Sequence, residues 1–369
     1  MKYYIIAGEA SGDLHASNLI KELKTKDSRA EIRAWGGDLM QAQGATIVKH
    51  YRDLAFMGFA EVIMNLRSIL SNLNQCKKDI LEYQADALIF VDYPGFNLRI
   101  AQWAHKQGLK VIYYISPQIW AWKKNRVFQI KKYVDQMIVI LPFEKDFYAK
   151  YDYPVSYVGH PLLDALPTVK QNQEEFIKKY RLKDKPIIAL LPGSRKQEIK
   201  KMLNIMLSQM ENFLDYQFVI AGAPSIEDDF YSQLTKGKQV AIIKDNTHQL
   251  LLHSHAALVT SGTATLETAL LQIPEVVCYK GNRISYEIAK RIIDIKYISL
   301  VNLIMAKEVV KELIQHELSK DHLKKELEKI ISGSHRDRIL KDYSELKDTL
   351  GSGGASMRAA QIIYEISLQ

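Results

Sequence analysis

Short apolar runs recur along the first half of the chain, and stretches with helical spacing of apolar residues lie between them. The runs have the length of β-strands and lie at residues 3–7, 32–35, 87–91, 111–115 and 137–140. All are far shorter than the ~20 residues that a transmembrane helix needs. Alternation of strands and helices is typical of βαβ units, whose strands form a parallel sheet. The pattern therefore predicts a doubly wound α/β domain.

The second half repeats this organisation after a polar segment at residues 170–185. We therefore predict two Rossmann-like domains, 1–167 and 168–345, and a C-terminal segment, 346–369, in which a Gly-Ser-Gly-Gly joint at residues 351–354 precedes a last helix. Ligands of parallel sheets bind beyond the carboxyl ends of the strands, so we expect the chemistry in those loops and a cleft between the two sheets. The predicted strands of the second half lie at residues 187–191, 218–221, 240–243, 257–260 and 276–279.

Composition and charge narrow the class of protein. Of the 369 residues, 47% are hydrophobic and 25% are charged, a mixture typical of globular proteins and unlike that of disordered ones. The two cysteines, Cys76 and Cys278, match no zinc-binding spacing. The net charge is +8, and the stretch between Asp92 and Asp135 contains Lys and Arg but no Asp or Glu. This basic stretch would attract phosphorylated ligands, anionic lipid or nucleic acid.

The loop after the first strand carries small residues and two carboxylates. Glu9 and Asp13 flank Ser11 and Gly12 where the next helix is predicted to begin. Glycine in such a loop allows a ligand to approach backbone N–H groups at a helix start. The loop matches neither the dinucleotide-binding fingerprint nor the P-loop pattern. Two interpretations stay open: a ligand-binding loop, or a helix N-cap by Ser11 or Asp13.

A carboxylate also follows the strand at residues 87–91. Asp92 stands at its end, and Pro94 and Gly95 then turn the chain towards Asn97. A carboxylate in this position can act as a general base if a hydroxyl group comes within hydrogen-bond distance. The alternative is that Asp92 caps a helix beginning near Asn97.

Aromatic and basic residues follow the next strand. Ser116, Trp120 and Trp122 precede Lys123 and Lys124. Tryptophan rings can pack on sugar faces, and lysine can bind phosphate. With equal weight, both tryptophans can belong to a core below a solvated basic surface.

Two strand ends in the second half have the features of phosphate sites. One carries Gly193 and Ser194 before Arg195, whose guanidinium group can hold a diphosphate. The other is a turn of small residues that leads into a helix, and such a turn places N–H groups where a phosphate can bind. Its residues are Ser261, Gly262 and Thr263. Glu267, further along that helix, is expected to bind ribose hydroxyl groups or to form a capping box.

Apolar residues recur at helical spacing between residues 57 and 73. Such a helix most often packs on a core. The alternative is a helix lying in a membrane surface, where nearby basic residues add attraction to anionic lipid. The candidate membrane-docking residues are Met57, Phe59, Ile63, Leu66 and Leu70.

Taken together, the order and spacing of the motifs resemble those of the lipid-A-disaccharide synthases over nearly the whole chain. Each motif is weak by itself, whereas the series is specific. The motifs lie at residues 7–13, 57–62, 91–97, 116–122, 141–144, 158–161, 191–195 and 261–267.

This resemblance implies an inverting glycosyltransferase of the GT-B architecture, in which two Rossmann-like domains face a central cleft and a C-terminal helix returns to the first domain. The implied reaction joins UDP-2,3-diacylglucosamine to 2,3-diacylglucosamine 1-phosphate (lipid X) and forms the β-1,6-linked disaccharide 1-phosphate and UDP. The sequence has no Asp-x-Asp metal motif. Helix N-termini and a cation can instead stabilise the leaving diphosphate, so we expect no metal and no cofactor.

The resemblance also implies roles for individual residues. Asp92 matches the aspartate expected to take the proton of the acceptor 6-hydroxyl, and Arg195 matches the arginine expected to hold the UDP phosphates. Some members carry a second aspartate where this chain has Gly95. Whether two carboxylates share a role in this loop therefore stays open. The expected nucleotide-sugar-binding residues are Gly193, Ser194, Arg195, Ser261, Gly262, Thr263, Glu267 and Asn302. The residues expected near the acceptor are Glu9, Ser11, Gly12, Asp13, Asn97, Ser116, Trp120 and Trp122.

The implied partners are the two lipid substrates and an anionic membrane surface. We expect a cytoplasmic enzyme that binds the inner membrane peripherally, through the residue 57–73 helix and the basic stretch, and that has no nucleic-acid partner. The segment at 351–354 would allow the last helix to exchange between two chains of a homodimer, and the oligomeric state stays open. Two alternatives remain: a UDP-sugar 2-epimerase with the same two-domain fold, and a non-catalytic RNA-binding protein that uses the basic stretch.

Overall fold

The computed structural model describes residues 1–54, 66–167, 169–282, 286–287 and 295–368. The chain divides into two compact units: unit 1 comprises Met1–Asp164 and Ser352–Gln369, and unit 2 comprises Ala165–Gly351. Each is an α/β unit with a parallel sheet, as the sequence predicts. The first predicted boundary lies within a few residues of this division. The second, at residue 346, falls inside a helix of unit 2, so the C-terminal segment of unit 1 begins later than predicted.

Within the described residues, unit 1 contains seven parallel strands in the order β3-β2-β1-β4-β5-β6-β7. The strands are β1 (Lys2–Ala7), β2 (Glu31–Gly36), β3 (Thr46–His50), β4 (Ala87–Val91), β5 (Lys110–Tyr114), β6 (Gln136–Val139) and β7 (Ser156–Tyr157). The helices are α1 (Ala10–Lys26), α2 (Asp38–Ala42), α3 (Leu66–Tyr83), α4 (Pro94–Lys106), α5 (Ile119–Trp122), α6 (Arg126–Tyr133), α7 (Pro142–Ala149) and α8 (Leu162–Ala165), and a 3-10 turn covers Tyr51–Leu54.

Unit 2 contains, in the part of the chain described, six parallel strands in the order β10-β9-β8-β11-β12-β13. The strands are β8 (Ile187–Leu191), β9 (Gln217–Gly222), β10 (Ala241–Lys244), β11 (Ser254–Thr260), β12 (Glu275–Tyr279) and β13 (Lys311–Ile314). The helices are α9 (Gln173–Tyr180), α10 (Lys196–Leu207), α11 (Asp228–Leu234), α12 (Thr247–Leu252), α13 (Thr263–Leu270), α14 (Leu300–Met305), α15 (Lys320–Ile331) and α16 (Ser334–Leu350).

Burial of the central strands explains why the sequence predicts them. Every residue of β4 and β8 is buried. A parallel sheet covered on both faces requires apolar side chains at successive positions, not only at alternate ones. Continuous apolar runs therefore identify the centre of each sheet.

The sequence pattern does not predict three of the strands, β3, β7 and β13, and all three lie at sheet edges. An edge strand pairs on one side only and needs less apolar surface. Accordingly, no residue of β3 is fully buried, β7 has two residues, and β13 begins with Lys311 and Glu312.

The last helix, α17 (Ala355–Ser367), belongs to unit 1 and packs against α1. The Asp164 carboxylate accepts hydrogen bonds from the backbone N–H groups of Gly354 and Ser356, at the start of this helix. Arg358 Nε donates to the carbonyl oxygen of Val158 at 2.8 Å. These contacts fix the start of α17 to the segment that follows β7.

Candidate active site

The strand order of unit 1 reverses between β1 and β4, which are neighbours in the sheet. Ligands of open α/β sheets bind at such a switch point, beyond the carboxyl ends of the strands. The two loops at this point carry Glu9, which is exposed, and Asp92, which is partly buried. Topology therefore brings together two loops that the sequence singles out independently.

The electrostatic environment of Asp92 suits proton transfer. Burial raises the pKa of its carboxyl group to about 6, and the negative charge of Glu9 adds to this rise. A base whose pKa lies near the working pH is ionised often enough to accept a proton and basic enough to hold it. Asp92 thus meets the electrostatic requirement for a general base.

The backbone of the Asp92 loop is held in an unusual conformation. Asp92 and Tyr93 both have left-handed backbones, with φ of 45° and 50°. The Asp92 carbonyl oxygen accepts hydrogen bonds from the Tyr113 hydroxyl at 2.5 Å and from Asn97 Nδ2 at 2.8 Å. A Cβ on Gly8 would lie 2.3 Å from the Tyr93 ring, so only glycine allows that ring to pack there. Such strain persists only where surrounding contacts over-determine it, as they do here.

The structure gives Asp13 a capping role that the sequence did not suggest. It lies inside α1 and is 2% exposed. Its carboxylate accepts backbone N–H bonds from Gly37 at 2.8 Å and from Leu39 and Met40 at 3.1 Å. Asp13 therefore caps α2, the helix after the neighbouring strand, and not its own helix. Of the other two residues of this loop, Ser11 is exposed and Gly12 is buried.

Three other residues predicted near the acceptor are buried in hydrogen-bond networks. Asn97 is fully buried and fastens the Asp92 loop. Ser116 Oγ lies 2.7 Å from the Tyr148 hydroxyl oxygen, and Trp120 Nε1 donates to Glu144 Oε1 at 3.3 Å. These side chains anchor the loops through hydrogen bonds within unit 1, and their direct contact with a substrate stays a prediction. Trp122 differs, because 44% of it is exposed.

Glu144 is a buried carboxyl group that the sequence reasoning did not include among the site residues. Besides Trp120, it accepts N–H bonds from Ile140 at 3.2 Å and Leu141 at 3.0 Å, and burial raises its pKa to about 7. It links the loops after β5 and β6. The available signal was Pro142 at the first position of a helix followed by glutamate at the third.

Unit 2 has its own switch point, between the adjacent strands β8 and β11. The loops after these two strands line a cavity of about 300 Å³, together with residues that follow β9. Gly193 has φ of +105°, and a Cβ there would lie 2.9 Å from Glu198 Oε2. The lining includes Gly193, Ser194, Glu198, Gly222, Ser261, Gly262, Thr263 and Ala264.

The start of α13 gives this cavity the properties of an anion site. The first N–H groups of a helix have no partner within the helix and carry partial positive charge. Gly262 directly precedes α13 and has open space around it. Ser261 Oγ donates to the carbonyl oxygen of Ile298 at 3.2 Å, which fixes the turn. A phosphate group fits this combination of small residues and free helix start.

Charged residues surround this turn. Arg195 is half-exposed, and its guanidinium nitrogen lies 3.2 Å from Glu198 Oε1. Glu267 Oε2 lies 3.5 Å from His248 Nε2. The Glu267 side chain therefore pairs with His248 and does not form the capping box that was one of the two expectations. The sequence reasoning missed His248, whose position after an edge strand gave no local signal.

Asn302 is fully buried, and both polar atoms of its side chain are hydrogen-bonded to neighbouring residues. Its Oδ1 accepts N–H bonds from Val309 at 2.7 Å and Val310 at 3.0 Å. Its Nδ2 donates to Val310 at 2.8 Å and to Glu312 Oε1 at 2.9 Å. Asn302 therefore fixes the approach to β13, and its contact with a nucleotide stays a prediction.

The predicted membrane-docking residues are only partly covered by the structure. Met57, Phe59 and Ile63, and the side chain of Leu66, lie outside the described residues. Leu70, on α3, is 51% exposed. None of the helices in the described ranges combines the length and apolar character that crossing a membrane requires. The same ranges contain no group of three or more His, Cys, Asp or Glu side chains arranged to hold a metal ion.

Comparison with known proteins decides the family. The lipid-A-disaccharide synthetase family model matches residues 3–366. The lipid-A-disaccharide synthase of Syntrophus aciditrophicus is 38% identical over 365 residues, 96% of this chain and 95% of that protein. The enzyme of the same name from Coxiella burnetii is 35% identical over 368 residues, 98% of this chain and 97% of that protein. The chain belongs to the lipid-A-disaccharide synthase family.

Solved structures with low sequence identity share the fold. A UDP-GlcNAc 2-epimerase from Neisseria meningitidis, bound to UDP-GlcNAc, has a TM-score of 0.70 at 13% identity and covers 99% of this chain and 100% of its own. A calicheamicin glycosyltransferase has a TM-score of 0.61 at 16% identity, covering 100% and 98%. Membership of the lipid-A-disaccharide synthase family makes this chain a glycosyltransferase of lipid A biosynthesis and confirms the resemblance seen in the sequence. The epimerase and RNA-binding alternatives are accordingly not retained.

Proposed function

We propose that this glycosyltransferase joins UDP-2,3-diacylglucosamine to the 6-hydroxyl of 2,3-diacylglucosamine 1-phosphate. The products are the β-1,6-linked disaccharide 1-phosphate and UDP. The observation that carries this proposal is the Asp92 carboxyl group, which stands at the switch point of unit 1 with a pKa raised to about 6. Such a group is suited to activate a sugar hydroxyl near neutral pH.

The proposed step is a single displacement. The 6-hydroxyl oxygen of the acceptor forms a bond to C1 of the donor sugar while its proton moves to the Asp92 carboxylate. The bond between C1 and the diphosphate oxygen breaks, and its electron pair leaves with UDP. Attack from the side opposite the leaving group inverts the configuration at C1, which gives the β-linkage.

Unit 2 supplies the nucleotide site in this scheme. The start of α13 and the Arg195 guanidinium group stabilise the negative charge that develops on the diphosphate. The small residues Gly193 and Gly262 let phosphate oxygens approach the backbone. Glu267, paired with His248, accepts hydrogen bonds from the ribose hydroxyl groups. The scheme uses protein cations and backbone dipoles and calls for no cofactor.

Both substrates carry acyl chains, so the enzyme is proposed to work as a peripheral protein at the cytoplasmic face of the inner membrane. The exposed Leu70 side chain supports this, because an isolated apolar residue at a bilayer surface can insert among lipid chains. The basic stretch adds attraction to anionic lipid headgroups.

The decisive experiment measures UDP release from UDP-2,3-diacylglucosamine in detergent, with and without 2,3-diacylglucosamine 1-phosphate, and with EDTA in both reactions. We expect release only when the acceptor is present, and no effect of EDTA. Release without acceptor, or none in either reaction while UDP still binds, would contradict the proposed substrates. Loss of activity with EDTA would contradict the metal-independent displacement.

The membrane assignment has a separate test, which is sedimentation with phosphatidylglycerol vesicles. Leu70→Ser should weaken vesicle binding without loss of folding. Leu81 is equally exposed and lies towards the far end of the same helix, so Leu81→Ser is the matched control and should bind as the wild type does. Equal binding by all three proteins would show that Leu70 does not contribute to membrane binding.

A further inference from the structure

Two cations share the exposed Trp122 ring and have no role in the displacement described above. Lys123 Nζ lies 4.4 Å from the ring centroid, and the Arg126 guanidinium carbon lies 5.6 Å from it. Both cations are partly buried, while the ring is 44% exposed. The face of the indole ring attracts positive charge and holds these long side chains in place.

No carboxylate neutralises this pair in the part of the chain that the structure describes. Burial lowers the pKa of Lys123, and the positive charge of Arg126 lowers it further. Burial also lowers the pKa of Arg126; the Tyr113 hydroxyl opposes this, and the positive charge of Arg99 adds to it. Cations that are partly dehydrated, mutually repelling and unpaired with any carboxylate among the described residues form a favourable place for an anion.

One buried tyrosine connects the pair with the proposed base. The Tyr113 hydroxyl donates to the Asp92 carbonyl oxygen, and the charges of both Asp92 and Arg126 act on this hydroxyl. Asp92 and Arg126 are therefore within electrostatic range of one buried tyrosine. The base and the cation pair belong to the same edge of the sheet in unit 1.

We propose that Lys123 and Arg126 bind the 1-phosphate group of the acceptor and that Trp122 packs against the apolar face of its sugar. This inference rests on the proposed function. A phosphate monoester carries about −1.5 to −2 charges at pH 7, and the planar guanidinium group can donate two parallel hydrogen bonds to it. On a glucosamine ring the 1-phosphate and the CH₂OH group that carries the 6-hydroxyl are attached to the two carbons that flank the ring oxygen, so fixing the phosphate also limits where the 6-hydroxyl can lie. A cation pair that holds the 1-phosphate at this edge of the sheet thus orients the 6-hydroxyl towards Asp92.

The same cations would also suit the phosphate group of a bilayer lipid. Both ligands present a phosphate ester, so an experiment has to decide whether the cations bind the acceptor or a bilayer lipid. An acceptor site predicts discrimination between sugars with and without phosphate in detergent, where no bilayer is present. A membrane site predicts loss of vesicle binding.

The test compares the wild type with Lys123→Ala/Arg126→Ala and with Arg126→Lys, using acceptors with and without the 1-phosphate in detergent. We expect the double variant to raise KM for the phosphorylated acceptor by about 10-fold to 100-fold, the size of a lost charge-assisted interaction. KM for the UDP-sugar should stay unchanged. The acceptor without phosphate should be used equally by the wild type and the double variant. Arg126→Lys keeps the charge but loses the planar fork, so its effect should be smaller.

Lys132→Ala is the matched control, because Lys132 is an exposed cation on the same helix as Arg126. It should leave both KM values unchanged. An equal loss on both acceptors, or no loss on either, would overturn the phosphate assignment while wild-type turnover upholds the proposed function. Weaker binding to phosphatidylglycerol vesicles with an unchanged acceptor KM would assign the cations to bilayer lipid and overturn it as well. Absence of acceptor-dependent UDP release by the wild type would overturn the proposed function itself, and this inference with it.

Discussion

The two units place different chemistry at equivalent points of the same fold. In unit 1 the loops at the switch point carry the carboxylates of Glu9 and Asp92, and the Asp92 loop is strained and anchored by buried hydrogen bonds. In unit 2 the corresponding loops consist of glycine and small hydroxyl residues around a cavity of about 300 Å³. The site in unit 1 holds a few side chains in fixed positions, whereas the site in unit 2 leaves backbone groups accessible to a ligand.

This difference follows from what each task requires. A carboxyl group acquires a raised pKa only when it is partly removed from water, and its loop must then be held by neighbouring groups. A diphosphate needs many donors close together, which backbone N–H groups supply when side chains are small. The comparison suggests that substitutions in unit 1 change turnover or folding, whereas those in unit 2 change nucleotide affinity.

The largest effect is expected from Asp92→Asn, which removes the base and keeps the shape of the side chain. We expect kcat to fall by about 10²-fold to 10⁴-fold, with UDP affinity and the unfolding midpoint unchanged. Asp86 stands at the opposite end of β4 and accepts a hydrogen bond from the Lys2 N–H, so Asp86→Asn is the control and should remain active. Normal turnover by Asp92→Asn would show that another group takes the proton.

Arg195→Ala tests the corresponding claim for unit 2. The loss of a charge-assisted interaction with the diphosphate should lower kcat/KM for the UDP-sugar by roughly 10-fold to 100-fold, and UDP should bind more weakly in calorimetry. Lys200 is an exposed cation on α10, the helix that begins directly after Arg195, and Lys200→Ala should have no effect. Unchanged UDP affinity would place the arginine outside the nucleotide site.

Asp13→Ala should affect stability and not the nucleotide. The change leaves three backbone N–H groups of the α2 start without their carboxylate, and we expect the free energy of unfolding in urea to fall by about 1 to 3 kcal/mol. UDP binding to unit 2 should stay the same. A variant with full stability and a raised KM for the acceptor would show instead that Asp13 contacts substrate.

The smallest effect is expected from Glu9→Gln on the pH profile. In the wild type kcat/KM should fall as the pH drops below about 6, because protonation of Asp92 removes the base. Removal of the Glu9 charge lowers the pKa of Asp92, so the acid limb should move to lower pH. Asp92 remains buried in this variant, and burial is the larger cause of its raised pKa. The acid limb should therefore stay at a higher pH than the pKa of an ordinary aspartate. Ser11→Ala is the control and should keep the wild-type pH profile. An acid limb at the same pH in Glu9→Gln and the wild type would show that the charge of Glu9 does not influence the pKa of Asp92.

The central strands and the order of the loops could be predicted from the sequence because they depend on local apolar runs. The roles of several loop residues could not. Asp13 has the pattern of a cap for its own helix, whereas its carboxylate reaches the helix after the neighbouring strand. Asn302 lies in a family motif, yet its side chain is hydrogen-bonded to backbone groups directly before β13. A polar side chain beside a strand end looks the same in sequence whether it faces a ligand or a backbone amide.

The sequence by itself determined two α/β units, their central strands, and the loops that hold Asp92, Arg195 and the small-residue turn, since these follow from apolar periodicity and motif order. Tertiary structure alone decided which strand ends are neighbours and which polar groups remain accessible. Trp120 and Trp122 show the reason. They are two residues apart on one helical turn and point in different directions, so one is buried against Glu144 and the other stays exposed with two cations on its ring. Burial depends on what packs against each face, and that is set by distant parts of the chain.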